Sequence, residues 1–262
     1  MLRRKRLTLL ILAAVVLLIG SAALAVRPPS VAAQLDGASS KPAPALAGAM
    51  TNRPKRILVI GASSGIGLAT AQLAAARGHL VTAMSRSAPE TTVDANPRVV
   101  RGDILDPAAV AAATLDIDAV VISIGAPPSR QVMKVFSQGT GNVLTALASR
   151  PDVPIFVVTG IGAGDSRGHG GFGHDRILQP LLLKQIYLDK DREEALLQAS
   201  PARFTIVRPG FLTDDRKTTP YRAFTRLGEL RSGAISRAQV AQFIVAALEQ
   251  DLYPRETVLL TR

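Results

Sequence analysis

Gly61, Gly65 and Gly67 stand in the run I-L-V-I-G-A-S-S-G-I-G, residues 57–67, where a short apolar stretch meets glycines at G-x-x-x-G-x-G spacing. The chemistry open to such a run is the binding of a phosphate anion by backbone amides. Gly61 permits a tight turn, Gly65 removes the side chain that would hold a pyrophosphate off the backbone, and Gly67 lets the next element pack closely. With Ser63, Ser64 and Ile66, the turn reads as the phosphate cradle of a dinucleotide site. Arg86 lies nineteen positions past Gly67, in Ser85-Arg86-Ser87. An acidic residue there would bind the ribose hydroxyls of NAD, whereas an arginine suits a 2′-phosphate, so NADP(H) is expected in preference to NAD(H). Asp103 and Ile104 offer a carboxylate and an amide where an adenine would lie, and Ser123 and Gly125 supply a small turn beside the ribose.

These residues need elements to hold them. Arg56–Ile60 has the length and apolar content of a fully buried parallel strand, and Leu68–Arg77 reads as a helix ended by Gly78. His79–Met84, Arg98–Arg101, Ala119–Ile124 and Ile155–Thr159 read as further strands, with helical or turn segments at Pro107–Thr114 and Val132–Arg150. Phe204–Val207 and Thr257–Leu260 read as two more, with a helix over Arg237–Gln250 between them. This alternation predicts an α/β doubly wound sheet of parallel strands joined by right-handed crossovers, with ligands bound beyond the carboxyl ends of the strands. The candidate residues fall at those ends.

The first fifty of the 262 residues do not read as folded protein. A basic start, M-L-R-R-K-R, precedes a twenty-residue apolar stretch to Val26 with an Ala23-Leu24-Ala25 site, the plan of a signal peptide or of an uncleaved membrane anchor over residues 1–26. Residues 27–54, rich in Pro, Ala, Ser and Gly, read as a disordered linker, and residues 55–262 as one NAD(P)-binding domain. The absence of cysteine excludes disulfides, thiolate metal sites and cysteine nucleophiles. Of the net charge of +11, Arg3, Arg4, Lys5, Arg6, Arg27 and Lys41 against Asp36 account for +5, and the remainder is scattered. With no basic helix or aromatic-basic platform, a nucleic-acid partner is not expected.

The segments G-A-S-S-G-I-G, S-R-S, R-G-D, I-S-I-G-A, V-V-T-G-I-G-A-G-D-S and T-I-V-R-P-G together resemble an atypical short-chain dehydrogenase/reductase. The likeness is to the NAD(P)H-binding group that includes the biliverdin-IXβ reductase/flavin reductases and the nitrogen-metabolite-repression regulators, and it spans nearly all of residues 55–262. It implies a Rossmann fold with a small C-terminal substrate region and NADP(H) as ligand. It does not imply one reaction, because the group holds reductases, epimerases and inactive cofactor sensors. Conventional short-chain dehydrogenases use Y-x-x-x-K on one helix, the lysine holding the nicotinamide ribose and lowering the tyrosine pKa. Here Tyr187-Leu188-Asp189-Lys190 is Y-x-x-K, which turns the tyrosine by about 100° from that place. The resemblance makes Lys190 a candidate for cofactor contact and catalysis, and Tyr187 a candidate proton donor. It puts the position of the assisting serine at Thr159 or Gly160, where the Thr159 hydroxyl could hydrogen-bond a substrate carbonyl, and sets Pro209 beside the nicotinamide carboxamide.

Residues 160–173 carry seven glycines after the fifth strand and read as a lid or a disordered loop, with Asp165, Ser166, Arg167 and His169 as candidate substrate contacts. His169 and His174 lack a matching carboxylate cluster and read as solvated loop side chains, so no metal is expected. Residues 211–225 should form one wall of the substrate pocket, where Phe211, Tyr221 and Phe224 suit either a flat acceptor or a place in the core.

Two functional readings follow. One is an NADP(H)-dependent oxidoreductase passing hydride to a small carbonyl, quinone or flavin-like acceptor. The other is a non-catalytic NADP(H)-binding regulator or assembly factor, which the offset Y-x-x-K and a membrane tether favour. The leader places the domain in the cell envelope, exported or anchored, unless translation starts at Met50, which would leave it cytoplasmic.

Overall fold

The computed structural model describes residues 38–46, 53–87, 96–215 and 219–262. The segment 1–26, read as a leader or anchor, lies outside them. Among the described residues no helix is long and apolar enough to cross a membrane.

In chain order the strands are β1 (Ser39–Pro42), β2 (Arg56–Ile60), β3 (Leu80–Ser85), β4 (Arg98–Arg101), β5 (Ala119–Ile122), β6 (Ile155–Val158), β7 (Phe204–Pro209), β8 (Phe211–Thr213), β9 (Arg222–Arg226), β10 (Ala234–Ser236) and β11 (Glu256–Thr261). The helices are α1 (Gly65–Ala76), α2 (Pro107–Ala113), α3 (Val135–Ala146), α4 (Lys184–Ala199) and α5 (Arg237–Gln250), and a π-helical segment, Gly173–Leu183, leads into α4. Nine of the described strands form one sheet in the order β1-β9-β11-β7-β6-β5-β2-β3-β4. From β4 to β11 every pairing is parallel, while β9 joins β11 and β1 joins β9 antiparallel. The chain runs from β2 outward to β3 and β4 and then crosses to β5 on the other side, which makes the gap beyond β2 and β5 the topological switch point.

The sheet forms because its central strands are apolar on both sides. Along β2, Ile57 and Val59 pack under α1 and α5 with Ala71, Ala74, Phe243 and Ile244, while Leu58 and Ile60 face α3 and α4 with Val143 and Leu197. Alternate side chains of a strand point to opposite faces, so both layers are anchored by the same four residues. Each fully buried side chain of this size contributes about 1.5–3 kcal/mol.

The linker expected over residues 27–54 is corrected in part. Ser39–Pro42 pair with Arg222–Arg226 as the edge strand, Leu46 packs against the core, and Gln250 Nε2 donates to the Ala45 carbonyl at 2.8 Å. The open backbone of β9 offers hydrogen bonds that outweigh the low strand propensity of S-S-K-P. The helix ahead of Lys184 was likewise not expected. Pro180 lies inside the π-helical turns, where an α-helical turn would drive its ring into the carbonyl four residues back.

Candidate cofactor cleft and catalytic site

The glycine turn joins β2 to α1. Gly61 has φ 86°, and a Cβ on it would lie 2.2 Å from the Ser123 carbonyl oxygen, so the ends of β2 and β5 approach as only glycine allows. A Cβ on Gly67 would fall 2.3 Å from the Gly61 oxygen. Gly67 therefore packs α1 onto the turn and does not line the cleft, unlike the other residues read as cofactor-binding. Ser64, the N-cap of α1, makes no side-chain cap hydrogen bond, and no acidic residue stands in the first turn. The first amides of the helix and its positive dipole end are left for an anion.

Outside the carboxyl ends of the strands runs a cleft of about 600 Å³, within the range typical of small-molecule sites. Arg86, Asp103 and Ile104 line it beyond β3 and β4; Ser63, Ser64, Gly65, Ile66, Ser123 and Gly125 form its middle; Thr159, Tyr187, Lys190 and Pro209 line the far part. The structure thus brings together the residues that the sequence placed at separate strand ends. It adds Phe136, Ile186 and Leu212 as apolar walls and Arg237 opposite the glycine turn. Arg237 Nε lies 3.8 Å from where a Gly65 Cβ would be, and Nη1 donates to Asp214 Oδ1 at 2.7 Å. Its signal in the sequence is its place as the first residue of a helix that follows the capping-box residue Ser236.

Lys190 is buried in the cleft wall. Its Nζ donates to the Val158 carbonyl at 3.2 Å and sits 4.3 Å from the Phe136 ring centroid. Burial lowers its pKa, opposed by Glu193, Glu194 and Asp189. The D-K-D-R-E-E run, residues 189–194, explains this, since Asp189, Glu193 and Glu194 point inward. Asp189 accepts from Phe136 N at 2.9 Å and Ser137 Oγ at 2.5 Å, fixing the start of α3. Glu194 accepts from Arg208 Nε at 3.0 Å and from Thr159 Oγ1 at 2.7 Å. Glu193 accepts from Thr140 Oγ1 at 2.7 Å, its Oε2 has no hydrogen-bond partner, and burial pushes it up to about 7.

Thr159 therefore lines the cleft with its hydroxyl proton already committed to Glu194, and donation to a substrate carbonyl would have to break that bond. Tyr187 lines the same cleft despite its offset position. Burial, aided by Asp175, pushes its phenol up to about 12, the opposite of what a neighbouring lysine charge would do.

The glycine-rich segment after β6 is not a lid. Ile161, Ala163 and Ser166 are buried, Ser166 Oγ donates to the Ala163 carbonyl at 2.6 Å, Asp165 pairs with Arg208, and Arg167 with Asp191. His169 Nδ1 meets the Leu230 carbonyl at 2.5 Å. These four side chains hold the loop to the body and do not line the cleft. His174 is buried, not solvated: its Nδ1 lies 2.8 Å from Asp175 Oδ1 and its Nε2 3.5 Å from Tyr187 Oη. The sequence hid this because the π-helical turns that carry His174 inward cannot be read from a 3.6-residue period.

A family model described as NAD(P)H-binding matches residues 61–251. The chain belongs to that NAD(P)H-binding family. A second model, the NAD(P)H binding domain of trans-2-enoyl-CoA reductase, matches residues 30–85, which contain the glycine turn. Among solved structures, the anaerobillin reductase ChuY of Escherichia coli O157:H7 is 24% identical with a TM-score of 0.65, the match covering 79% of this chain and 96% of that one. A wide-type short-chain dehydrogenase/reductase of Veillonella parvula DSM 2008, in complex with NADP, is 17% identical with a TM-score of 0.66, covering 80% and 95%. A Burkholderia pseudomallei protein named as a candidate exported protein is 23% identical with a TM-score of 0.62, covering 79% and 100%. At these identities the likeness shows the fold, a Rossmann-type sheet. The residues present fit a nicotinamide dinucleotide: a close-approach glycine cradle, an uncapped helix end and two arginines line one continuous cleft.

Proposed function

We propose that the chain is an NADPH-dependent reductase acting on a small carbonyl, quinone or flavin-like acceptor. The observation that carries this reading is that Tyr187 and Lys190 line the same cleft as the glycine turn and Arg86. Bound there, the nicotinamide supplies hydride, and the chain supplies binding, orientation and a proton. The amides of Ser63 to Ile66, with Arg237 opposite, hold the pyrophosphate, and Arg86 meets the 2′-phosphate. Lys190 spends one donor on the Val158 carbonyl and keeps others for ribose hydroxyls. Tyr187 Oη donates to the acceptor oxygen. Phe136, Ile186 and Leu212 make the walls around it apolar, which suits a flat conjugated acceptor, and the reductase named for anaerobillin among the structural neighbours supports that class.

Fluorescence titration with NADPH and NADH, followed by stopped-flow NADPH oxidation with menadione, FMN and a small aldehyde, tests the reading. NADPH should bind at least about tenfold more tightly than NADH, and at least one acceptor should turn over. Tight NADPH binding without turnover of any acceptor would favour the second reading, a non-catalytic NADP(H)-binding regulator, to which the high pKa of Tyr187 lends support.

The domain is proposed to act in the cell envelope, exported or held by its N-terminal segment. The basic-apolar-A-x-A leader and the structural neighbour named as a candidate exported protein support this, and so does β1, because a start at Met50 would remove a strand that the sheet uses. N-terminal sequencing of the native protein decides between cleavage, anchoring and a start at Met50.

A further inference from the structure

We propose that Asp175, His174 and Tyr187 form a proton relay that refills the Tyr187 phenol from solvent, an inference that rests on the reductase reading above. The three groups are linked in series. Asp175 Oδ1 stands 2.8 Å from His174 Nδ1, and His174 Nε2 stands 3.5 Å from Tyr187 Oη, which lines the cleft. A carboxylate accepts only, so Nδ1 carries the proton and Nε2 is left bare to accept from the phenol, as the carboxylate orients the imidazole in a catalytic triad.

The surroundings hold this arrangement. The His174 ring meets Tyr187 edge-on at 5.8 Å between centroids and Phe211 of β8 at 5.6 Å. A Cβ on Gly170 would fall 2.4 Å from His174 Nδ1, and one on Gly162 would fall 2.9 Å from His174 Cε1 and 3.2 Å from Tyr187 Cε1. Gln179 Nε2 pins the Gly162 carbonyl at 2.9 Å. The glycines of this loop thus serve to close it round the imidazole. Among the described residues, Asp175 is the charged group set against His174 from its own segment and Tyr187 the titratable one from α4. Phe211 and the glycine loop present none, and Lys190 shares the cleft with Tyr187.

The step balances as three proton transfers. The Tyr187 O–H bond breaks as the proton passes to the reduced acceptor's oxygen, leaving a phenolate. His174, neutral with Nε2 bare at rest, takes a proton from solvent at Nε2 and passes it to that oxygen, restoring the O–H bond and the neutral Nδ1–H imidazole.

Imidazole ¹⁵N NMR of the full chain without cofactor provides the first test, because only three histidines are present and H174Q assigns the signal. The relay predicts protonated Nδ1 and bare Nε2 at His174, with the Nε2 signal moving in Y187F; the opposite tautomer overturns it. The second test is NADPH oxidation with menadione across pH, with Kd for NADPH measured alongside. H174Q should keep Kd and slow turnover about 10²-fold with loss of the fall in rate toward high pH, and D175N should fall between. Wild-type rate and pH profile in H174Q, with Y187F inactive, overturn the relay and leave the reductase standing. Full activity in Y187F overturns both the donor role and the relay, and absence of any wild-type turnover with NADPH bound overturns the reductase reading and the relay with it.

Discussion

Gly61 and Ser123 are in contact through their backbones: the Ser123 carbonyl oxygen occupies the place, 2.2 Å away, where a Gly61 Cβ would need room. The same residue holds φ at 86°. Gly61→Ala should therefore suffer both a clash and a strained conformation, weakening NADPH binding more than tenfold and lowering the thermal midpoint by several degrees. Gly125→Ala is the control, since nothing lies within 4 Å of its Cβ position, and its midpoint without cofactor should stay within about a degree. Differential scanning fluorimetry and NADPH titration read both.

Arg86 and Arg237 line different parts of the cleft, which separates their effects. Arg86→Ala should raise the Kd for NADPH about 10–100-fold and leave that for NADH nearly unchanged, because a charge-assisted hydrogen bond to the 2′-phosphate is lost. Arg237→Ala should weaken both cofactors alike, since both carry the pyrophosphate. Equal sensitivity of the two nucleotides to Arg86→Ala would contradict the assignment.

Glu193 contributes a pH dependence of stability with a defined sign. Burial raises it from an ordinary carboxyl value to about 7 in the folded protein, so the folded state holds a proton that the unfolded state has released. Stability from this group is full below the unfolded pKa and is lost as pH rises toward 7. Glu193→Gln should be isosteric, remove that loss, worth up to about 3 kcal/mol, and raise the midpoint at pH 8 relative to pH 4.5. Urea unfolding of both proteins at the two pH values measures it.

Removal of residues 1–49 strips β1 and the Leu46 contact from the sheet and exposes the edge of β9. A chain beginning at Met50 should melt several degrees lower and self-associate more readily, seen by scanning fluorimetry and light scattering. An unchanged midpoint would mean that β1 is dispensable.

Arg208→Met should destabilise by about 3–5 kcal/mol, because Glu194 would be left buried without its partner while still holding Thr159. Thr159→Val should cost only about 1 kcal/mol and leave cofactor binding intact, since its hydroxyl serves Glu194.

The sheet, its strand ends and the cofactor cleft were legible in the sequence because their signals are local. An apolar five-residue run, a glycine at each tight turn and a cation after β3 act within a few residues of themselves, and β4 and α5 fall where periodicity put them. Those signals alone determined the doubly wound fold and the dinucleotide cradle. What only the tertiary structure decided depends on groups brought together across long separations: Ser39–Pro42 finding the open edge of β9, Thr159 turning to Glu194 thirty-five residues on, and His174 carried inward to Tyr187 by π-helical turns. The physical reason is the same in each case. A hydrogen-bonding group's partner is set by which buried polar atom needs it once the layers pack, and no spacing along the chain encodes that choice.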